Sequence, residues 1–233
     1  MPLSPETFTI RAARLKADMA AQCLRVQFVV ESAVESAFDA DRERAAALVT
    51  QDDEIDRVDV AIERAAVALL VDVASNPVSL PERDLRLILT IVKVNNEAER
   101  IADLAVNIAQ CAATFADLNT RPPETFRVMA NSVIGIVDAA RRCFEHTDVA
   151  IAKVVLASED AVERFKRQLT RDTEERLANR SVTIDEGFSL LTIAGELERI
   201  ADHATNIAEQ VIYAATGAIV RHEAQGWVES QPG

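Results

Sequence analysis

The feature that most constrains the fold is an eleven-residue segment that occurs twice, at residues 99–109 and again at residues 198–208. Nine of the eleven positions are identical, and the two copies begin 99 residues apart. Repeated helices need their apolar positions to recur only in kind, so identity at the Glu, Arg, Asp and Asn positions indicates a further requirement. We interpret the two copies as the marks of an internal duplication in which each half carries a face of carboxylates.

The spacing of apolar residues predicts an all-α fold. Glycine (6) and proline (7) are few among 233 residues, and 49% of residues are hydrophobic but only 4% aromatic, which favours long aliphatic helices. Apolar spacing predicts helices at about residues 5–40, 42–74, 82–116, 123–145, 148–178 and 183–216. They form two pseudo-symmetric antiparallel three-helix bundles, side by side or end to end. The predicted domains are residues 1–118 and 119–220, followed by a disordered tail at residues 221–233.

Charge and cysteine content exclude several classes of protein. The net charge of −13 argues against nucleic-acid binding, which depends on clustered Lys and Arg. Cys23, Cys111 and Cys143 are widely spaced and odd in number, so they indicate buried thiols rather than a disulfide frame. There is no basic leader, and no apolar run approaches the ~20 residues of a membrane span. These features predict a cytoplasmic protein without direct membrane insertion.

The polar residues of the repeated segment fall on one side of their helix. With Glu99 at zero on a helical wheel, Asp103 lies at about 40° and Asn107 at about 80°. The apolar positions between them lie at about 140–200°. Glu97 falls at about 160°, so Glu97 and its repeat Glu196 are left out of the predicted site.

The preceding helix carries a matching ridge of acids. Four carboxylates recur at three- and four-residue spacing along one side of it: Asp52, Asp56, Asp59 and Glu63. In the second half, Glu159 and Glu163 keep the first two positions, but Lys166 and Thr170 occupy the others. Like charges at i,i+4 destabilise a helix by roughly 0.2–0.5 kcal/mol per pair, so such a ridge indicates a compensating cation, arginine or open water.

Two interpretations of these acids are open. An acidic helix face is usually a solvated surface, and Arg100 and Arg199 could supply simple ion pairs. Paired acid motifs in the same helix order in both halves favour a cation site instead, and oxygen-only ligands favour Fe³⁺, Mn²⁺, Mg²⁺ or Ca²⁺. His203 is interpreted as a histidine at the edge of the core rather than a ligand, because its counterpart in the first half is Leu104.

These residues resemble the PhoU family of phosphate-signalling regulators. The resemblance rests on the pattern E-R-I-x-D-x-A-x-N-I, present twice in register, and on Asp84-Leu85-Arg86 followed by Lys93. It implies two three-helix bundles related by a pseudo-twofold axis, with multinuclear metal clusters on paired acid motifs. The implied metal is iron, with manganese, zinc or magnesium as alternatives, and no organic cofactor. The implied ligands are Asp52, Asp56, Glu99, Asp103, Glu159, Glu163, Glu198 and Asp202.

The resemblance also implies a function. Members of this family repress the phosphate regulon and limit phosphate uptake, without being enzymes and without catalytic residues. They link the ATPase of the phosphate ABC transporter to a phosphate-sensing histidine kinase, and so can lie at the inner face of the membrane through these partners. Long amphipathic helices also permit a homodimer.

This sequence departs from the family pattern at two places. Ala102 and Ala201 replace the usual glycine of the motif, which narrows the room for a neighbouring helix. Glu159 and Glu163 stand where Asp is common, which lengthens their reach by a methylene. The metal and the number of occupied halves are therefore left open.

Two alternative functions remain. A ferritin-like di-metal oxidase also builds its site on bundle helices, but it needs Glu-x-x-His pairs. Here Ala102 and Ala201 stand three residues after the glutamates, which counts against such an enzyme. A helical scaffold for a different phosphate transporter is the other alternative.

Overall fold

The structure, a computed structural model, describes residues 4–76, 79–223 and 226–230. Seven helices follow one another in these ranges, and a two-stranded hairpin comes after the last helix. The elements are α1 (Pro5–Asp39), α2 (Arg42–Ser75), α3 (Glu82–Leu118), α4 (Glu124–His146), α5 (Val149–Leu156), α6 (Glu159–Ala178), α7 (Ile184–Thr216), β1 (Ile219–Glu223) and β2 (Gly226–Ser230). The predicted all-α fold is confirmed apart from this terminal hairpin.

The helices form two three-helix bundles. α1, α2 and α3 pack on one another, and α4 packs with α7 and with the pair α5 and α6. The most extensive contact joins α3 to α7, and α1 also packs against α4. The bundles therefore lie side by side, which decides between the two arrangements left open by the sequence. Buried aliphatic residues of both bundles form one continuous core.

Short connections between the helices depend on residues that satisfy the free backbone groups at helix ends. Ser4, Asp41, Asp148 and Thr183 are N-caps whose side chains accept hydrogen bonds from backbone N–H groups. Ala40 ends α1 in the left-handed conformation, with φ 55°. The chain therefore turns from α1 into α2 within residues 40 and 41, and the two helices become antiparallel neighbours.

The prediction of one helix over residues 148–178 is wrong, because α5 ends at Leu156 and α6 begins at Glu159. The hydroxyl of Ser158 donates to the carbonyl of Val155 at 2.6 Å, and the Ser158 N–H bonds the same carbonyl at 3.1 Å. These local bonds tighten the turn and compete with the regular α-helical pattern. As a result Glu159, a predicted site residue, lies in the first turn of a helix.

The end of the chain also differs from the prediction of a disordered tail. β1 and β2 pair antiparallel, with Ile219 opposite Ser230 and Glu223 opposite Gly226. The loss of helical periodicity after residue 220 marks a change of secondary structure over these described residues. The predicted tail residues 224–225 and 231–233 lie outside the described part of the chain.

Among the described helices, α3 is long and apolar enough to cross a membrane by length and composition. Half of its most apolar stretch is buried inside the protein, where α3 contacts α1, α2 and α7. Buried core helices are commonly as long and as apolar as this, so the central place of α3 in the fold accounts for its composition.

The three cysteines are free and buried, as predicted. Burial raises the pKa of the Cys23 and Cys143 thiols to about 12. These thiols are therefore protonated at neutral pH and pack as small apolar side chains.

Candidate functional site

Helices α2 and α3 position the acids of the first half. Ile55 of α2 and Ile101 of α3 are buried in the core, and acids beside them lie along the edge where the two helices meet. The charges of Asp56 and Asp103 are close enough to raise the pKa of Asp52. We name four residues the first acid cluster: Asp52, Asp56, Glu99 and Asp103.

The first acid cluster carries negative charge with little basic compensation. Partial burial, followed by the charges of Asp56 and Asp103, raises the pKa of Asp52 to about 6. Burial and then Asp103 raise the pKa of Glu99, although Arg100 opposes this shift. Arg100 Nε lies 3.5 Å from a carboxylate oxygen of Glu99. Since raised carboxyl pKa values mean that the charged forms are disfavoured, a cation among these groups would lower their free energy.

The surroundings of one carboxylate oxygen indicate whether these residues fit a cation. Oδ1 of Asp52 is buried and, within the described residues, has no hydrogen-bond partner. A buried carboxylate oxygen of this kind is stabilised by a proton or a cation. Because all four donors are carboxylates, the first acid cluster fits a hard metal ion in charge and in ligand type.

The side chains are not arranged as a closed coordination shell. In residues 4–76, 79–223 and 226–230, no three Asp, Glu, His or Cys side chains converge tightly enough to hold a metal ion as they stand. Binding in the first acid cluster therefore requires rotamer changes that draw the carboxylates together. The assignment of the eight predicted metal ligands remains a prediction.

Helices α6 and α7 carry the corresponding acids of the second half. We name four residues the second acid cluster: Glu159, Glu163, Glu198 and Asp202. Partial burial raises the pKa of Asp202 to about 6, and the charges of Glu198 and Glu159 add to the shift. Lys166 and His203 oppose it. The structure therefore brings acids of both helices together here as well.

Two acids of the second acid cluster are bonded to basic side chains. Lys166 Nζ donates to Glu198 Oε2 at 2.6 Å, and Arg167 Nη1 donates to Glu163 Oε1 at 2.7 Å. From the sequence, Lys166 is only the position at which the acid ridge ends, and its reach to α7 is not visible. Because two of its acids have basic partners, the second acid cluster offers a metal ion less uncompensated negative charge than the first.

Asn107 contacts a different helix from Glu99 and Asp103, although the wheel places the three on one side of α3, because the two acids lie near acids of α2. Asn107 Nδ2 donates to Glu196 Oε1 at 3.4 Å, across the contact between α3 and α7. Its repeat Asn206 donates to Glu97 Oε2 at 3.1 Å, in the opposite direction across the same contact. The wheel gives the angle of a side chain about its own helix but does not show the neighbouring helix.

These reciprocal bonds explain why asparagine recurs at the same position of the two copies. The two acids that were left out of the predicted site, Glu97 and Glu196, are the partners of Asn206 and Asn107. The repeated asparagines therefore join the two halves to each other, whereas Glu99 and its repeat belong to the acid clusters. We name Glu97, Glu196, Asn107 and Asn206 the interhelical clasp.

His203 lies beside the interhelical clasp. Its Nδ1 is 2.6 Å from Glu97 Oε2, and the ring is partly buried. This confirms its place at the edge of the core. In the first half, Leu104 is buried at the corresponding position, and the second partner of Glu196 is Arg199, at 2.9 Å.

The remaining motif residues have structural contacts. Arg86 Nη1 pairs with Glu82 at 2.5 Å, and Lys93 Nζ lies over the Tyr213 ring, 5.6 Å from its centroid. Ala102 and Ala201, which replace the usual glycine, are buried in the core. The Lys93 contact adds a further link between α3 and α7.

The fold and the paired acid clusters define a class of protein, an internally duplicated helical protein whose two three-helix bundles each carry carboxylates at a helix–helix edge. The PhoU domain family matches residues 23–112 and 126–211, one match in each bundle and together well over half of the chain. The chain therefore belongs to the PhoU family.

Individual relatives cover almost the whole chain. It is 29% identical over 218 residues to the phosphate-specific transport system accessory protein PhoU homolog 1 of Thermotoga maritima, covering 93% of this chain and 91% of that protein. It is 32% identical over 200 residues to the PhoU homolog of Aquifex aeolicus, covering 85% and 88%.

Solved structures have the same fold. The crystal structure of PhoU from Pseudomonas aeruginosa matches with a TM-score of 0.83 at 27% identity, covering 89% of this chain and 98% of that one. The phosphate transport system regulatory protein PhoU from Streptococcus pneumoniae matches with a TM-score of 0.83 at 21% identity, covering 92% and 99%. The second likeness concerns the fold alone.

Proposed function

We propose that this chain is a non-enzymatic accessory protein of a phosphate-specific transport system, which represses the phosphate regulon and limits phosphate uptake. The observation that carries the proposal is that both bundles match the PhoU domain. The relatives that cover most of the chain are named as accessory proteins of phosphate-specific transport. In this proposal the protein is cytoplasmic and reaches the inner face of the membrane through its partners.

The proposed mechanism is that of an adaptor between the ATPase of the phosphate ABC transporter and a phosphate-sensing histidine kinase. An open groove of about 660 Å³ between α1 and α2 supports a docking role. Leu24 and Phe28 line it, and each is 55% exposed. Exposed apolar side chains grouped in a groove are typical of protein interaction sites.

The proposal includes one metal-binding region, the first acid cluster. Asp52, Asp56, Glu99 and Asp103 would hold a hard cation such as iron or manganese, and the buried Oδ1 of Asp52 supports this assignment. When bound, the cation supplies positive charge that joins α2 to α3. No proton transfer or redox step is assigned to the carboxylates.

Deletion of the gene tests the regulatory role. In phosphate-rich medium, we expect the deletion strain to express phosphate-starvation genes and a plasmid copy to restore repression. Normal repression in the deletion strain would contradict the proposal, and it would favour a scaffold for a different transporter.

Complementation with groove variants tests the adaptor mechanism. L24D/F28D places two charges in the groove of α1, and we expect it to fold but not to restore repression. N131D/S132D is the matched control, because Asn131 and Ser132 are exposed on α4 and the added charge is the same. Full repression by L24D/F28D would show that this groove does not bind the partner.

A further inference from the structure

The helix edges that carry the two acid clusters differ in charge at one pair of corresponding positions next to the clusters, Asp59 and Lys166. Asp52, Asp56 and Asp59 each correspond to the residue 107 positions later in the sequence. In the first half, Asp59 accepts a hydrogen bond from Asn95 Nδ2 at 2.6 Å. In the second half, the equivalent position carries an ammonium group in place of a carboxylate.

Lys166 is directed into the second acid cluster. Its Nζ lies 2.6 Å from Glu198 Oε2, and the side chains of Lys166 and Glu198 are 36% and 20% exposed. Its charge also acts on Asp202. A lysine on α6 therefore contacts one acid of α7 and lies close to a second.

We infer that Lys166 is a built-in counter-cation that takes the place of a metal ion in the second half. The geometry of Lys166 and Glu198 carries this inference. A metal ion could use Glu198 only by displacing an ammonium that already neutralises it, and the two cations would repel each other. Metal binding is consequently confined to the first acid cluster, in which the described residues include no lysine within 4 Å of an acid. The inference rests on the proposed metal binding of the first half.

The other ion pairs of the two acid clusters support the same inference. Arg167 pairs with Glu163 at 2.7 Å, so a second acid of this cluster also has a basic partner. In the first acid cluster the described ion pairs include only the contact of Arg100 with Glu99, at 3.5 Å. The second half thus holds its α6–α7 edge together with its own side chains.

The test compares Mn²⁺ binding in four forms of the full chain, followed by the electron paramagnetic resonance signal of the free ion. D52N/D103N disables the first acid cluster, and we expect it to lose at least ten-fold in affinity relative to the wild type. K166D in the D52N/D103N background recreates the acid of the first half, and we expect it to regain at least ten-fold. R164D in the same background is the matched control, because Arg164 is exposed on α6 and lies about 200° from Lys166 around the helix.

Each outcome decides between the alternatives. Wild-type affinity in D52N/D103N would overturn the inference, because the second half would then bind metal despite Lys166. Equal binding by the K166D and R164D forms would also overturn it. A wild-type protein that binds no Mn²⁺ would overturn the metal part of the proposed function, whereas a gain with K166D would still support the inference. K166Q, with the rise in melting temperature on adding Mn²⁺ as the readout, replaces K166D if that variant does not fold.

Discussion

The two halves of this protein share an apolar framework and differ in how they compensate their acids. Ile101 and Ile200 occupy the same position of the repeated segment, and both are buried. The first acid cluster places its carboxylates beside one another with little basic compensation, whereas Lys166 bonds Glu198 in the second. A duplicated helix pair can therefore keep its packing while one copy gains a lysine that compensates its acids.

The largest expected effect tests the shared framework. I101A and I200A each remove a buried side chain, and we expect either to lower the free energy of unfolding by about 2–5 kcal/mol. Because both side chains are buried, we expect both losses to fall within this range, and the difference between them depends on how far each cavity collapses. Urea unfolding followed by circular dichroism measures both. A loss in one half only would show that the halves do not share one core.

The next effect tests the interhelical clasp. N206L leaves Glu97 without its amide donor, and we expect it to lower the free energy of unfolding by about 1–3 kcal/mol. N107L should cost about half as much, because the Asn107 bond, at 3.4 Å, is longer than the Asn206 bond, at 3.1 Å. Each glutamate keeps a second partner in these variants, His203 for Glu97 and Arg199 for Glu196. Thermal unfolding of both variants gives the comparison. Equal losses in the free energy of unfolding for N206L and N107L would contradict the difference between the two bonds of the interhelical clasp.

The pH dependence compares the two acid clusters directly. The pKa of Asp52 and of Asp202 is raised from 3.8 to about 6, so the folded protein binds these protons more tightly than the unfolded chain. The resulting stability is fully present below about pH 4 and is lost as the pH rises through about 6.

In metal-free protein, D52N and D202N should each increase the free energy of unfolding at pH 7 by about 1 kcal/mol, a value reduced for solvent screening. The asparagine carries no charge, so it mimics the protonated acid. Urea unfolding at pH 4 and pH 7 measures the difference, which should disappear at pH 4. Destabilisation by D52N at pH 7 would contradict the electrostatic account of the first acid cluster.

The smallest expected effect concerns an exposed ion pair. Arg167 and Glu163 are spaced i,i+4 on the surface of α6, and such pairs contribute about 0.2–0.5 kcal/mol. R167A should therefore change the melting temperature only slightly. K166A should cost more, because Lys166 joins two helices. Differential scanning calorimetry distinguishes them, and a larger cost for R167A would remove the special role given to Lys166.

Much of the helical framework could be predicted from the sequence, because apolar spacing and helix-capping residues are local properties. The ends of α2 and α7 lie close to the predicted ones. The break at Ser158 could not be foreseen in this way, because it depends on a hydroxyl that bonds the carbonyl of Val155. The terminal hairpin could not be predicted from helical periodicity, because side chains of a strand alternate with a period of two residues rather than 3.6.

The candidate site was predictable only in part. The acids on two neighbouring helices could be chosen because their spacing places them on one face of each helix. The partners of Asn107 and Lys166 could not, because they depend on which helix lies opposite. Long polar side chains at a helix–helix edge have several acids within reach, and only the packed structure shows which one they bond.

The interhelical clasp has a mechanical consequence. Its bonds run in both directions between α3 and α7, so sliding one helix along the other by one turn, about 5.4 Å, would break every bond of the clasp together. The two bundles, which also share one core, are therefore expected to move together rather than slide past each other. A displacement of one bundle would then displace the other bundle by the same amount.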